Sequence, residues 1–579
     1  MSDRRRLRAC CLALALLVGL VLVTKANSRR TDSVFTTTAT PWEDVGGLSM
    51  ASLEWTACSA THQCARLNVP LNYSEPQAEK AVIAIIRYPA TVPADSPLYR
   101  GPILFNPGGP GGSGVAFIES AGPALAQLVG PEFDIIGFDP RGVARSTPRV
   151  SLFETDAERA LWPVGPIRDL NASEDAVARH WARAQITGRL ASETAASYLP
   201  HINTENTARD MLRIVEAHGR EKLQYWGFSY GTVLGAVFAS IFPDKVERLI
   251  IDGVVDTEDY FDTMWANNLI DADKALQTFF DGCFAAGPNG CAFYAPTPEA
   301  IAQNLTDLYE TVRARPVPVR TASYYGLVDF ELLHGTMLSI LYAPLVYFDF
   351  ISDALAALAR GDGGPLLDAI AAAGPRPFEC SCDSGKEQFE FLEQAALLAI
   401  LCNDGRAVPF ELDEAERHYK SVAKTSSFGS LFASIRIACS GWPDLPKKHF
   451  QGPVGGNTSV PLLIIGNTAD PVTSLWAAKK TAKAFPKSVV LTQDCAGHSS
   501  LAAPSLCTRA YVRRYFLSGA LPEPDTVCPV LMAGSVFRNE ELETPVGEQE
   551  TFSANERHVF DAFQAVQRKS WFGPPRFLL

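Results

Sequence analysis

The 579-residue sequence predicts an α/β fold in which a mostly parallel central sheet is interrupted by an inserted helical cap. Three observations carry this. Short, almost wholly apolar runs alternate with helix-like runs, the pattern of a sheet covered on both faces. One of those runs leads through Gly227-Phe228-Ser229-Tyr230-Gly231 into a helix-like segment. After a long interval without that rhythm, a strand-like run returns at Ser459, followed by an acid and a histidine.

The elements follow in order. Arg4, Arg5, Arg6 and Arg8 precede an apolar run over 9–23, and Thr24-Lys25-Ala26 offers a small-x-small cleavage site. Residues 1–27 therefore read as a signal peptide or signal anchor, with a run short for a membrane span. Residues 28–50 read as a poorly ordered lead-in. The first part of the core, 51–257, holds strand-like runs at 81–87, 102–105, 133–138, 223–226 and 246–251. Helices are expected at 114–128, 207–218 and 232–242; Met211, Leu212, Ile214 and Val215 recur at helical spacing. The interval 258–456 has helical runs at 266–280, 298–312, 350–360 and 389–401 and no convincing series of parallel strands, so it reads as a helical cap. The core resumes over 457–535, with strands at 459–465 and 488–491. The extension 536–579 carries a final helix at 552–563 and a tail at 571–579.

A net charge of −13 leaves no basic footprint for nucleic acid. Cys10 and Cys11 aside, the 13 cysteines leave an odd number, so at least one thiol stays free or pairs between chains. Cys58/Cys64, Cys283/Cys291 and Cys507/Cys528 are close enough in sequence to staple short loops. Cys380 and Cys382 lack partners at zinc spacing and read as disulfide-forming rather than metal-binding. Sequons stand at Asn72, Asn171, Asn304 and Asn457. With the N-terminal segment, these features point to a secreted protein, or to one held at the membrane by an uncleaved anchor.

A strand-turn-helix with serine at its apex suits a nucleophile, because flanking glycines let the turn tighten and expose the hydroxyl. A serine needs an imidazole to take its proton and a carboxylate to orient that imidazole. In this strand order the sequence of the three is Ser, acid, His. Of nine histidines, His498 stands in a glycine-containing loop after the 488–491 strand, whereas His558 sits in a mixed helical run. Asp470 closes the preceding strand and is the expected acid; Asp252, Asp256 and Asp494 are the alternatives. Asn106-Pro107-Gly108-Gly109-Pro110-Gly111-Gly112-Ser113-Gly114 lacks the Gly-Lys-Ser/Thr ending of a phosphate loop and reads instead as half of an oxyanion hole. Its donor is expected to be the Gly109 N–H, with Gly108 or the neighbours of Pro110 as fallback, opposite the N–H of Tyr230; Pro110 itself has no N–H to give.

That glycine loop, Asp139-Pro140-Arg141-Gly142 and Tyr225-Trp226-Gly227-Phe228-Ser229-Tyr230-Gly231-Thr232 resemble the tripeptidyl and prolyl aminopeptidase group of secreted α/β-hydrolases. The stretch from Pro461 through Asp470-Pro471-Val472-Thr473 and Gly497-His498 to Cys528 is similar to that group's TAP-like C-terminal domain. The resemblance spans roughly residues 50–530 and implies an α/β-hydrolase fold. It also implies a serine peptidase that needs no metal or cofactor and removes short peptides from the N-terminus beneath a helical cap. By that likeness Ser229 is nucleophile, Asp470 acid and His498 base, while Asp139 and Arg141 brace the glycine loop alongside Gly108 and Gly111. Cys402-Asn403-Asp404 and the Cys439 segment resemble the group's cap-end cysteine segments.

The substrate is expected to be a small peptide or ester. An esterase or lactonase with the same triad is the second reading, and a pure binding module is disfavoured because the whole catalytic set is present. Glu258, Asp259, Asp404 and the Glu387/Glu390/Glu393 cluster are the candidate anchors for a free α-amine. No nucleic-acid partner is expected, and no stable membrane partner unless the N-terminal segment is retained.

Overall fold

A computed structural model of the chain describes residues 42, 45–46, 49, 52–162, 169–322, 324–373, 394–531, 537 and 553–568. The segment 1–27, Cys380, Cys382, Glu387, Glu390, Glu393 and the tail 571–579 lie outside them.

The strands β1 (Thr56–Ala57), β2 (Gln63–Pro70), β3 (Lys80–Tyr88), β4 (Gly101–Asn106), β5 (Phe133–Phe138), β6 (Leu223–Phe228) and β7 (Val246–Asp252) build the first part of one sheet. A hairpin, β8 (Val317–Arg320) and β9 (Tyr325–Val328), stands apart from it. The sheet resumes with β10 (Leu463–Ala469), β11 (Val489–Ala496) and β12 (Val527–Pro529), in the order β1-β2-β3-β5-β4-β6-β7-β10-β11-β12. Pairing is antiparallel from β1 to β5 and parallel from β5 onward. Every residue of β4, β5 and β6 is buried, as a strand covered by helices on both faces requires.

The helix Gly114–Val129 packs on β3 and β5, and Thr204–Ala217 packs on Tyr230–Ile241. The first is capped by Ser113, whose side chain accepts the Ala116 N–H. The last described helix, Ala554–Arg568, buries Val559, Ala562, Phe563 and Val566 and lies against Gly114–Val129.

Between β7 and β10 the described residues are mostly helical: Thr257–Phe261, Ala272–Gly290, Pro298–Ala314, Phe330–Ile340, Pro344–Ala359, Gly364–Ala373, Gln394–Asp404, Leu412–Val422 and Gly429–Ala438.

The helix Pro344–Ala359 begins earlier than the expected 350, because Pro344 suits a first helical turn, where no N–H is needed. The expected helix at 266–280 begins instead at Ala272, after a short 3₁₀ turn at Asn267–Leu269. Residues 389–393 of the expected helix at 389–401 are outside the described residues. The lead-in is not wholly loose: Val45 is buried, Ser49 bridges Leu67 of β2, and Arg66 Nη2 donates to the Trp42 carbonyl at 2.9 Å.

Four cysteine pairs sit at disulfide distance: Cys58–Cys64, Cys283–Cys291, Cys402–Cys439 and Cys507–Cys528. Cys402–Cys439 ties two cap helices across 37 residues, a closure worth about 4 kcal/mol in the chain-entropy picture. Cys495 is a free thiol. Among the described residues no helix is long and apolar enough to cross a membrane.

Candidate active site

At the carboxyl end of β6 the chain turns sharply into the helix Tyr230–Ile241, and Ser229 occupies the turn at φ +57° and ψ −125°. That left-handed conformation costs a non-glycine residue about 1–3 kcal/mol and has to be held by its surroundings. The Ser229 N–H donates to the Asp252 carbonyl at 3.1 Å, and the Ser229 carbonyl accepts from the Thr232 N–H at 2.8 Å and the Thr232 hydroxyl at 2.5 Å. The turn closes this tightly only because Gly227 has no side chain: a Cβ there would lie 2.4 Å from the Gly231 carbonyl oxygen.

Two strands further along the sheet, Asp470 follows β10 and His498 follows β11. His498 Nδ1 is 3.0 Å from Asp470 Oδ2 and 3.1 Å from Oδ1. The carboxylate is fully buried and also accepts the N–H groups of Val472, Thr473 and Ser499. With Nδ1 facing Asp470, accepting a serine proton falls to Nε2. The Asp252-Gly253 segment links the two halves. Its Asp252 carbonyl holds the Ser229 N–H, and a Cβ on Gly253 would lie 3.3 Å from His498 Cε1.

Sequence reasoning missed three residues around the imidazole. Thr473 Oγ1 lies 3.0 Å from His498 Nδ1. Tyr342, from the cap, accepts the His498 N–H on its carbonyl at 2.9 Å and sets its ring edge-on to the imidazole. Asn467 Nδ2 donates to the Gly497 carbonyl at 2.8 Å and the Ser499 carbonyl at 2.6 Å, gripping the loop on both sides of His498. Only Asn467, a polar residue closing an apolar strand, left a visible signal. Asn467→Ala should lower kcat by about 10- to 100-fold with KM little changed, measured by steady-state kinetics. Wild-type kcat in that variant would show that the loop holds its shape without the amide.

The alternative acids are occupied elsewhere. Asp252 accepts the Ser500 N–H and hydroxyl at 2.8 and 2.5 Å and the Trp226 indole N–H at 3.2 Å. Burial holds its carboxyl up at about 6. Asp256 caps the helix Thr257–Phe261 and pairs with Lys480 at 2.8 Å, and the exposed Asp494 accepts from the Thr468 hydroxyl.

The glycine loop lies directly against the Ser229 turn. Gly108 has φ +99°, and a Cβ there would fall 2.8 Å from Ser229 Cβ and 3.0 Å from the Tyr230 nitrogen. The Gly108 N–H is taken by Asn106 Oδ1 at 3.0 Å, which removes it as a fallback donor. Among the described residues no acceptor meets the Gly109 or Tyr230 N–H. Gly111, at φ +89°, continues the loop toward the Gly114–Val129 helix.

Asp139 braces that helix start: Oδ1 accepts the Ser113 hydroxyl at 2.6 Å and the Val115 N–H at 3.0 Å, and Oδ2 accepts the Arg145 N–H. Its full burial pushes the carboxyl above the ordinary range. The expectation for Arg141 is corrected. Its guanidinium binds Asp210 at 2.6 and 2.7 Å and the carbonyls of Pro70, Leu71 and His201, none of them in the glycine loop.

Of the amine-anchor candidates, Glu258 is largely exposed and pairs with Lys480 at 2.7 Å. Asp404 is fully buried and accepts from Thr204 and Tyr260. Asp259 is buried, accepts the Asn267 N–H on Oδ2 at 3.1 Å, and is held up at about 6 by burial.

Comparison with known proteins adds to this geometry. Residues 101–290 match the model of the alpha/beta hydrolase fold, and residues 424–528 match that of the TAP-like proteins. The chain is 29% identical over 495 residues to serine protease Hip1 of Mycobacterium tuberculosis, covering 82% of this chain and 91% of the relative. It is 27% identical over 494 residues to tripeptidyl aminopeptidase of Streptomyces lividans, covering 83% and 87%. Carboxylesterase B of Mycobacterium tuberculosis is 27% identical over 476 residues, covering 81% and 86%.

Proposed function

Because the chain belongs to the α/β hydrolases of the TAP-like group, we propose that it cleaves short peptides from their N-terminus through an acyl-enzyme on Ser229. The observation that carries this is the Asp470–His498 pair, 3.0 Å apart, on loops that flank the Ser229 turn. Ser229 attacks the carbonyl as His498 takes its proton. The N–H groups of Gly109 and Tyr230 receive the oxyanion, and Asp470 supports the imidazolium. His498 then protonates the leaving amine, and water releases the acyl group. Secretion, with glycans on the exposed Asn171, Asn304 and Asn457 and on the half-buried Asn72, completes the proposal; the four disulfides fit an oxidising compartment.

An esterase is the second reading, favoured by the relative named carboxylesterase B at similar identity and coverage. The test is a turnover panel with Ser229→Ala as blank, pairing free and N-acetylated di- and tripeptide amides with aryl esters and lactones. Cleavage confined to free-amine peptides supports the exopeptidase. Ester or lactone turnover without Ser229-dependent peptide cleavage supports the esterase.

Exopeptidase action needs a carboxylate for the α-ammonium, and Asp259 is the buried acid that best suits it. Its folded pKa, about 6, is raised above the unfolded 3.8. The folded state therefore binds more protons between those values, and Asp259's contribution to stability falls as pH rises from about 4 to about 6. Asp259→Asn should raise the thermal midpoint relative to wild type more at pH 7 than at pH 4. It should also raise KM for free-amine peptides while sparing aryl esters. An equal midpoint difference at both pH values would refute the buried-charge cost.

A further inference from the structure

The side chain of Tyr230 is linked to the cap through Thr204. Its phenol lies 2.5 Å from Thr204 Oγ1, and the Thr204 hydroxyl donates to Asp404 Oδ2 at 2.5 Å. Because that hydroxyl proton is committed to Asp404, the Tyr230 phenol is the donor to Thr204. Asp404 also accepts the Thr204 N–H at 2.8 Å and the Tyr260 hydroxyl at 2.7 Å. Asp404, Thr204, Tyr230 and Tyr260 are all buried.

Asp404 ends its own helix, Gln394–Asp404, where the macrodipole disfavours a carboxylate. It meets instead the first turn of Thr204–Ala217, where the dipole favours one. A buried carboxylate in that place is costly unless its contacts repay it. Side chains from a later segment grip the neighbouring backbone: Lys447 Nζ donates to the Cys402 and Gly405 carbonyls, and His449 Nε2 lies 3.0 Å from the Asn403 carbonyl. Asn403 Nδ2 donates to the Leu199 and Ile202 carbonyls at 2.7 Å each, so the Asn403-Asp404 pair joins cap to core.

We propose that Asp404 is a positioning residue for the oxyanion donor Tyr230, acting through the Thr204 hydroxyl, so that the seating of the cap sets the geometry of the oxyanion hole. This rests on the serine-hydrolase reading above. Tyr230 offers its N–H at the start of one helix, and the far end of the same residue is held by Thr204, whose hydroxyl is in turn bonded to Asp404 of the cap. Freeing the phenol does not remove the N–H but lets it drift from where charge develops in the transition state.

The test uses the full chain carrying Thr204→Val, Tyr230→Phe or both. Active sites are titrated with an aryl phosphonate, and turnover is followed on an aryl ester that has no ammonium. The expected result is a loss of about 10-fold in kcat per titrated site in each single variant, with KM within about twofold. The double variant should be no slower than the slower single, because both changes cut one chain of contacts. Unchanged kcat per titrated site in both singles would overturn the proposal, even if the thermal midpoint fell, since a merely structural contact lowers stability and not the rate of correctly folded sites. Wild-type protein that the phosphonate leaves unlabelled at Ser229 would instead bring down the hydrolase reading, and this inference with it.

Discussion

Ser229→Ala should lower kcat by about 10⁶-fold while leaving the thermal midpoint close to wild type. The hydroxyl is the only part of the side chain removed, and the backbone contacts that hold the turn, to Asp252 and Thr232, do not involve it. What remains is the oxyanion hole and substrate binding, which alone give about 10³–10⁴ over water. His498→Ala and Asp470→Asn should each be severe. Combined with Ser229→Ala, however, they should add almost nothing, because the three groups act as a unit. Retention of more than roughly 1% of wild-type kcat by Ser229→Ala would mean that the nucleophile is another residue, and phosphonate labelling with peptide mapping would locate it.

Arg141→Ala should destabilise the fold by about 3–5 kcal/mol, read from urea unfolding. Both side chains of the Arg141–Asp210 pair are out of solvent, 2.6 Å apart. Removing the guanidinium strands a buried carboxylate whose remaining side-chain donor is the Tyr73 hydroxyl at 2.8 Å, and it takes a donor away from the Pro70 and Leu71 carbonyls. Replacing both charges, as Arg141→Met with Asp210→Leu, should cost less than the single change, since no lone charge is left behind. A loss under about 1 kcal/mol in Arg141→Ala would show that water reaches the vacated site.

The contrast between these two sites marks what a sequence can reveal. Ser229, Asp470 and His498 were legible because each sits where a local signal meets a strand end: a Gly-x-Ser-x-Gly turn, an Asp-Pro after an apolar run, a Gly-His loop. Arg141 was misread because its partners come from segments about 70 residues away in either direction, and nothing local records them. Tyr342 was missed for the same reason, since it reaches His498 from the cap.

In the cap, Phe330–Ile340 is buried almost all round, so no polar face gives it a helical period. The strand β2 hid behind Gln63, Arg66 and Asn68, which half-buried positions toward one edge of the sheet tolerate. The central strands β4 to β7, apolar and framed by turns, were read almost to the residue.

The pairing of β7 with β10 has a consequence for biosynthesis. Leu463 sits opposite Ile250, and Ser500 bonds Asp252 across 248 residues of chain. As the chain emerges from the ribosome, β7 must wait for the entire cap to be made before its neighbour exists. Until then it is an exposed edge carrying the buried-type sequence Leu249-Ile250-Ile251, a template for pairing with other chains. The nascent protein should therefore depend on a chaperone or a fast-folding cap to shield that edge. On the proposed mechanism it is also catalytically silent through that interval, because Ser229 is made long before Asp470 and His498.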